Sequence, residues 1–177
     1  MLAHAAPGAV PAPHAAPCFA CHPRSAPCVH ELGRRLRRPL VFSNGVFDLL
    51  HAGHVACLAQ ARALGASLVV GINTDASVRR LGKGPSRPVH GETERACVVA
   101  ALAAVTAVVL FDEDRPLALI CALRPDIYVK GGDYRADTLA ETALLQEWGG
   151  RTVIVPRLPG LATTRTIERI RGLAWPC

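Results

Sequence analysis

From residue 39 onward, short and continuous apolar runs alternate with longer segments whose apolar residues recur at helical spacing. Strands that are apolar on both faces are typical of parallel sheets covered by helices on both sides. We therefore predict an α/β fold, with one domain built on a parallel sheet and helices on both faces. The predicted strands are 39–43, 67–72, 105–111, 127–129 and 152–155, and the predicted helices are 54–64, 92–104, 114–123, 137–148 and 164–171.

Residues 1–36 depart from this alternating pattern. The first 30 residues are rich in Ala, Pro and His, and six prolines interrupt any regular helix or strand there. No Lys or Arg precedes Arg24, and the prolines break the continuous apolar segment that a secretory signal needs. We expect residues 1–36 to be a disordered arm, residues 37–177 to be the folded domain, and the protein to be cytoplasmic.

The formal net charge of +6 is unevenly distributed along the chain. Residues 1–38 hold a net charge of +4, and residues 39–177 hold a net charge of only +2. The arginine-rich run 34–38 would suit a contact with nucleic acid or lipid, but a solvated helix end is the favoured interpretation. No apolar run reaches the roughly 20 residues that a membrane span requires. We therefore expect no nucleic-acid partner and no membrane partner.

The seven cysteines are an odd number and form one local cluster only. Cys18, Cys21 and His22 match the C-x-x-C-H pattern of haem attachment, and Cys28 with His30 would complete a zinc knot. Short motifs often arise by chance, so an arm without a cofactor is the favoured interpretation. The remaining cysteines are scattered along the chain, at Cys57, Cys97, Cys121 and Cys177. This distribution favours free thiols in a reducing compartment.

The loop between the first predicted strand and helix carries the densest group of chemically active residues. It reads Ser-Asn-Gly-Val-Phe-Asp-Leu-Leu-His-Ala-Gly-His over residues 43–54. Gly53 lets the backbone approach a ligand closely, and the unpaired N–H groups of a helix N-terminus favour phosphate. His51 and His54 can stabilise negative charge that develops on phosphate in a transition state. Zinc would need a further ligand, for which only His90 and Asp48 are near, so we predict no metal held by protein ligands.

Three later loops lie at the same carboxyl end of the predicted sheet, where ligands of such folds bind. Lys83 and Arg87 belong to a Gly/Pro-rich loop that would close over a triphosphate as a lid, and an ordinary solvated loop is the alternative. Lys130 directly follows a buried strand and would bring a cation into the cleft. Thr163 and Thr164 begin the last helix, where they would bind phosphate or only cap the helix.

Other polar residues near the strand ends have two interpretations each. Asp48 would hold its loop or help to position a metal, and Asp75 would bind substrate or cap the following helix. Arg95 would reach the phosphate of an acceptor or pair with Glu92 at the surface. In the Gly-Gly-Asp segment 131–133, the glycines permit tight backbone geometry and the aspartate would hold a sugar hydroxyl.

The segment 44–54 resembles the signature of the cytidylyltransferase-like nucleotidyltransferases, which share an H-x-G-H element and a Rossmann-like fold. Four further segments resemble the heptose 1-phosphate adenylyltransferase branch: 71–78, 84–89, 124–134 and 163–165. The resemblance covers about residues 39–171. It implies transfer of AMP from ATP to heptose 1-phosphate, with Mg²⁺ accompanying ATP, and a homo-oligomer. Members of the family often carry Ser or Cys before the Thr pair, where this chain has Ala162, so one hydrogen bond to phosphate would be absent.

The loop chemistry and the resemblance together give three groups of candidate site residues. The catalytic group is His51, His54, Lys83 and Lys130. The ATP-binding group is Asn44, Gly45, Phe47, Asp48, Gly53, His54, Arg87, Thr163 and Thr164. The substrate-binding group is Asp75, Arg95, Gly131, Gly132 and Asp133.

The expected reaction is an in-line attack by the acceptor phosphate on the α-phosphorus of ATP, with release of pyrophosphate. The acceptor is already an anion, so positioning and charge stabilisation suffice for catalysis. Loop chemistry does not fix the base, so a cytidylyltransferase acting on glycerol 3-phosphate is the alternative within the family. A non-catalytic nucleic-acid-binding protein is the alternative from another class, and it would leave the histidine pair unexplained.

Overall fold

A computed structural model describes residues 18–20, 26–82, 84 and 86–173. Its strands form one parallel sheet, and its helices alternate with them along the chain. The strands are β1 (Cys18–Ala20), β2 (Leu40–Gly45), β3 (Ser67–Asn73), β4 (Ala107–Phe111), β5 (Ile127–Gly131) and β6 (Arg151–Val155). The helices are α1 (Ala26–Arg35), α2 (Ala52–Ala63), α3 (Asp75–Arg80), α4 (Glu92–Ala100), α5 (Leu117–Leu123), α6 (Ala140–Gln146) and α7 (Thr163–Arg171), with a 3₁₀ turn at Ala136–Thr138.

The sheet is buried on both faces, which confirms the predicted α/β fold. Successive residues of a strand point to opposite faces, so each central strand contributes to two apolar cores. In β2, Val41 packs into the core under α2 and α4, whereas Leu40 and Phe42 pack into the core under α1, α5 and α6. This two-sided burial explains why the strands are continuously apolar in sequence.

The strand order places the functional loops at one crevice. The order is β1-β4-β3-β2-β5-β6, and every neighbouring pair is parallel. From β2 the chain winds outward through β3 and β4, then crosses to the other side of β2 to form β5 and β6. Ligands bind where the winding reverses, beyond the carboxyl ends of the strands. In this sheet that point lies between the ends of β2 and β5.

Helix α1 lies inside the segment for which we expected a disordered arm. Its Pro27 falls in the first turn, where the missing N–H costs nothing, and Val29 is buried against the core. A Cβ atom at Gly33 would lie 2.7 Å from the carbonyl oxygen of Leu123, so glycine allows α1 to pack closely on α5. Strand β1, which pairs with β4, also lies within the expected arm, so residues 1–36 contribute two elements to the fold. In α1, the apolar face that packs on the core outweighs the local richness in proline.

The remaining N-terminal predictions fall only partly within the described residues. The arginine-rich run does form an exposed helix end, with Arg35 paired to Glu31 at 2.8 Å. Cys21 and His22 lie outside the described residues, and of Cys18 only the backbone strand is described. Cys28 is an exposed free thiol. None of the described helices is long and apolar enough to cross a membrane.

Candidate active site

A cleft of about 650 Å³ opens at the carboxyl ends of β2 and β5. It brings together residues from the loops after β2, β3, β5 and β6. The predicted site residues that line it are Asn44, Gly45, Phe47, Asp48, His51, Gly53, His54, Arg87, Lys130, Gly131, Thr163 and Thr164. The predicted residues that do not line it are Asp75, Arg95, Gly132 and Asp133, and Lys83 lies outside the described residues.

The two histidines stand together at the N-terminus of α2. His51 precedes the helix in an extended conformation, and its ring stacks on that of His54 with the ring centres 3.8 Å apart. The N–H of His51 donates to Nδ1 of His54 at 3.4 Å. Because Nδ1 of His54 accepts this bond, a neutral His54 ring carries its proton on Nε2. The pair therefore lies beside the first N–H groups of α2, which attract anions.

His51 is held in an environment that disfavours its charged form. Nδ1 of His51 is buried and has no hydrogen-bond partner among the described residues. Burial accordingly lowers the pKa of His51 below its ordinary value.

Small residues and one strained residue set the positions of these rings. A Cβ atom at Gly53 would lie 3.0 Å from both Cε1 and Nδ1 of His51, so glycine leaves room for that ring. Phe47 adopts a left-handed backbone with φ of 50°, and its ring packs 5.2 Å from that of His54. A Cβ atom at Gly45 would lie 3.0 Å from the Phe47 ring. The loop shape therefore depends on two glycines that the sequence offers at these positions.

Asp48 anchors the loop that follows α3. Its buried carboxylate accepts hydrogen bonds from the N–H groups of Val89 and His90, at 2.8 and 3.0 Å, and pairs with Arg87. Of its two sequence interpretations, the structure thus shows Asp48 holding a loop. Arg87 also lines the cleft, but its guanidinium is already bound to Asp48.

Arg95 does not line the cleft, and its guanidinium is engaged within the protein. Its side chain is fully buried and donates to the carbonyl oxygens of Val46, Asn73 and His90, at 2.6, 2.8 and 3.0 Å. It also pairs with Asp75 at 2.6 Å rather than with Glu92. Arg95 therefore ties three loop backbones together.

Asp75 also departs from the sequence interpretations. Its carboxylate is committed to Arg95, and it lies outside the cleft lining. It does not cap α3, since Thr74 occupies that position and its hydroxyl accepts from the N–H of Ser77 at 3.2 Å. Glu92 instead accepts from the N–H of Asp75 at 2.7 Å. The carboxylate that sequence assigned to substrate is a structural partner of Arg95.

Lys130 ends β5 inside the cleft and belongs to a polar chain across the crevice. Its Nζ donates to the hydroxyl of Tyr128 at 3.3 Å, and that hydroxyl donates to Oδ1 of Asn44 at 2.7 Å. Nζ also lies 5.1 Å from the ring centre of Tyr134. Burial raises the pKa of Tyr128, so its hydroxyl stays protonated and can donate the hydrogen bond to Asn44. This chain links the ends of β2 and β5 and directs Lys130.

The glycines after Lys130 serve close packing. A Cβ atom at Gly131 would lie 2.9 Å from Sγ of Cys57, and one at Gly132, where φ is 134°, would lie 2.8 Å from Nε of Arg157. Burial raises the pKa of Cys57, so this thiol is poorly suited to nucleophilic chemistry. Asp133 is exposed and outside the cleft lining. Only Gly131 of the predicted 131–133 segment therefore reaches the cleft.

A second helix N-terminus completes the cleft. Ala162 precedes α7 without a side-chain cap, and Thr163 and Thr164 form its first turn. The hydroxyl of Thr163 donates to the carbonyl oxygen of Leu49 at 3.4 Å, so it is not used to cap its own helix. The first N–H groups of α7 thus remain available to an anion, as those of α2 do.

Protein ligands for a metal are scarce in this region. Among the described residues, no group of three or more His, Cys, Asp and Glu side chains is placed to hold a metal ion. Asp48 and His90, the candidates for a zinc site, are joined by a backbone hydrogen bond instead. Asp114 lines the cleft, but it pairs with Arg80 at 3.0 Å.

Sequence reasoning missed several residues that line the cleft. Asn73, Tyr134 and Arg157 do so, and Arg157 makes no hydrogen bond or ion pair with a described residue. Arg157 is the first basic residue after β6, so its position at a strand end was the signal that could have identified it. Tyr128 was missed because its role depends on a hydrogen bond to Asn44, which lies 84 residues away in sequence.

Comparisons with known proteins agree with this architecture. The cytidylyltransferase-like family matches residues 42–170. A D-beta-D-heptose 1-phosphate adenylyltransferase from Bordetella bronchiseptica is 58% identical over 137 residues, which are 77% of this chain and 85% of that protein. The bifunctional protein HldE of Syntrophotalea carbinolica is 54% identical over 142 residues. The aligned residues are 80% of this chain but only 29% of that longer protein.

A solved structure supports the same assignment. The lipopolysaccharide core biosynthesis protein from Thermoplasma volcanium superposes with a TM-score of 0.57 and 29% identity, over 67% of this chain and 95% of that one. The resemblance inferred from the H-x-G-H loop is therefore confirmed over most of the described fold. The chain belongs to the cytidylyltransferase-like family, in the group of the heptose 1-phosphate adenylyltransferases, and is a nucleotidyltransferase.

Proposed function

We propose that the protein transfers AMP from ATP to heptose 1-phosphate, giving ADP-heptose and pyrophosphate for lipopolysaccharide core biosynthesis. One observation carries this proposal. The N-termini of α2 and α7, the His51–His54 pair and Lys130 all line a single cleft. Such a concentration of N–H groups, imidazoles and an ammonium suits a triphosphate more than any neutral ligand. The name of the Bordetella bronchiseptica relative includes heptose 1-phosphate, which supports this acceptor.

The chain's residues contribute positioning and charge stabilisation. An oxygen of the acceptor phosphate attacks the α-phosphorus of ATP, and the bond to the bridging oxygen of pyrophosphate breaks. Nε2 of His54 and Nζ of Lys130 donate to the phosphoryl oxygens, where negative charge accumulates. The N-terminus of α7 binds the departing phosphates. The acceptor is an anion at neutral pH, so no general base is assigned.

Mg²⁺ enters in this proposal as part of the nucleotide substrate. The described residues offer no three-ligand site, which suits an ion held by phosphate oxygens and water. The ion would neutralise charge on the triphosphate. The reaction draws on ATP, so we place it in the cytoplasm. Homo-oligomer formation stays a prediction, which light scattering coupled to size-exclusion chromatography would measure.

A direct assay tests the proposed reaction. Purified protein is mixed with ATP, Mg²⁺ and heptose 1-phosphate, and ADP-heptose and pyrophosphate are quantified. The expected result is stoichiometric formation of both products, and no product from a parallel reaction without Mg²⁺. A panel with CTP in place of ATP, and glycerol 3-phosphate in place of the sugar, is the control. Turnover confined to CTP and glycerol 3-phosphate would overturn the proposal.

A further inference from the structure

A second, smaller cavity of about 260 Å³ adjoins the cleft on the side of α5 and α6. The two cavities share Asn44, Asp114, Lys130 and Tyr134. Beyond these, the small cavity is lined by residues of the loop before α5 and of the segment from the 3₁₀ turn into α6, including Arg115, Thr138, Leu139 and Glu141. Its volume suits one sugar ring rather than a nucleotide. Lys130 stands at the boundary between the two spaces.

Glu141 is the unusual residue of this cavity. It is only 3% exposed, yet its carboxylate makes no hydrogen bond or ion pair with any described residue. Its oxygen atoms are not fully enclosed by protein atoms, which places them at the cavity. Its charge is close enough to Tyr128 to help raise the pKa of that hydroxyl. Glu141 therefore has unused acceptor capacity directed at a space that a ligand can occupy.

The lining combines Glu141 with the cations Lys130 and Arg115, which suits a polyhydroxylated ligand portion whose negative charge is on a phosphate. A carboxylate accepts two or more hydrogen bonds from hydroxyl groups and repels a second anion. The ring of Tyr134 and the side chain of Leu139 offer apolar surface to the C–H groups of a sugar. Lys130 would hold the phosphate of the same molecule at the boundary, close to the nucleotide cleft.

We propose that this cavity is the sugar subsite and that Glu141 determines acceptor specificity by accepting hydrogen bonds from sugar hydroxyls. The inference rests on the proposed function and replaces the predicted substrate-binding group, of which only Gly131 lines either cavity. The acceptor then lies across Lys130, with its ring beside α6 and its phosphate towards the histidine pair.

Steady-state kinetics of Glu141→Ala and Glu141→Gln test the proposal. Hydrogen bonds to a charged group correspond to roughly a 10- to 100-fold effect, so we expect KM for heptose 1-phosphate to rise by about that factor in Glu141→Ala, and by less in Glu141→Gln. KM for ATP should stay within about twofold. Glu147→Gln, an exposed glutamate at the end of the same helix, is the matched control and should behave as wild type.

The direction of the change separates two roles for Glu141. If the carboxylate acted only through its charge on an anionic acceptor, its removal would lower KM for heptose 1-phosphate. A lowered or unchanged KM in both variants would therefore overturn the proposal, as would an equal rise in KM for ATP. Thermal unfolding and ATP binding by calorimetry show that the variants are folded. Absence of turnover in the wild type would instead count against the proposed function.

Discussion

The polar residues around the cleft fall into two sets that look alike in sequence but differ in structure. The internal set, Asp48, Asp75, Arg87 and Arg95, is engaged in bonds between loops. The cleft-facing set, His51, His54, Lys130, Thr163 and Thr164, lines open volume beside two helix N-termini. Charge at a strand end is thus not a sign of substrate contact. The two sets differ in that the internal side chains form buried ion pairs and bonds that join separate loops.

The sharpest way to test the internal set is Arg95→Met, which keeps an unbranched apolar stem but removes the guanidinium. Three carbonyl oxygens and Asp75 would lose their buried donor. Breaking a buried ion pair in this way costs about 3–5 kcal/mol of the free energy of unfolding. Urea denaturation measures it, with Arg169→Met on the exposed face of α7 as the control. A loss as small as in that control would show that Arg95 does not tie the loops together.

The cleft-facing set should respond in the opposite way. His54→Ala removes a donor from the phosphate site, and the loss of one such donor lowers kcat by about 10²–10³-fold. The fold should persist, because the loop is held from the other side by Asp48 and Arg95. Initial rates of pyrophosphate release measure kcat, and His30→Ala, an exposed histidine of α1, is the control. Near-normal turnover of His54→Ala would refute the assignment of this site.

A smaller effect is expected from Gly53→Ala, which leaves every polar group in place. The added Cβ would meet the His51 ring at 3.0 Å and displace it by a few tenths of an ångström. We expect kcat to fall by about tenfold, since catalytic positioning is sensitive to such shifts. Stability should not fall, because Ala favours helix over Gly. Gly172→Ala, where the nearest atom lies at 3.6 Å, is the control, and equal kcat in both variants would contradict the role of Gly53.

The smallest effect concerns the pH dependence of His51. Burial lowers the pKa of its imidazole in the folded protein, so the unfolded chain binds the proton more readily. The free energy of unfolding should therefore rise with pH up to the ordinary histidine pKa of about 6.5, and the contribution is lost as the pH falls through the lower folded value. NMR titration of the Cε1–H signal measures the pKa, and His51→Asn is the control for stability. A folded pKa above the ordinary value would contradict the burial argument.

Much of the fold followed from local pattern. The parallel sheet predicted from continuous apolar runs is confirmed. The strand predicted at 67–72 is observed as β3, Ser67–Asn73, one residue longer at its end. The short helix α3 was missed because six residues give too little periodicity to detect. The proline content of residues 1–30 predicts no helix there, whereas the apolar face of α1 packs on the core.

The sequence by itself determined the family, the sheet and the loops that form the cleft, because hydrophobic period and the spacing of His51, Gly53 and His54 are properties of adjacent residues. Only the tertiary structure decided what each charged side chain does. Arg95 bonds to Val46 across 49 residues, and Glu141 owes its unused carboxylate to burial beside a cavity. Long-range contacts of this kind satisfy some polar groups and leave others to a ligand, and no local pattern encodes which.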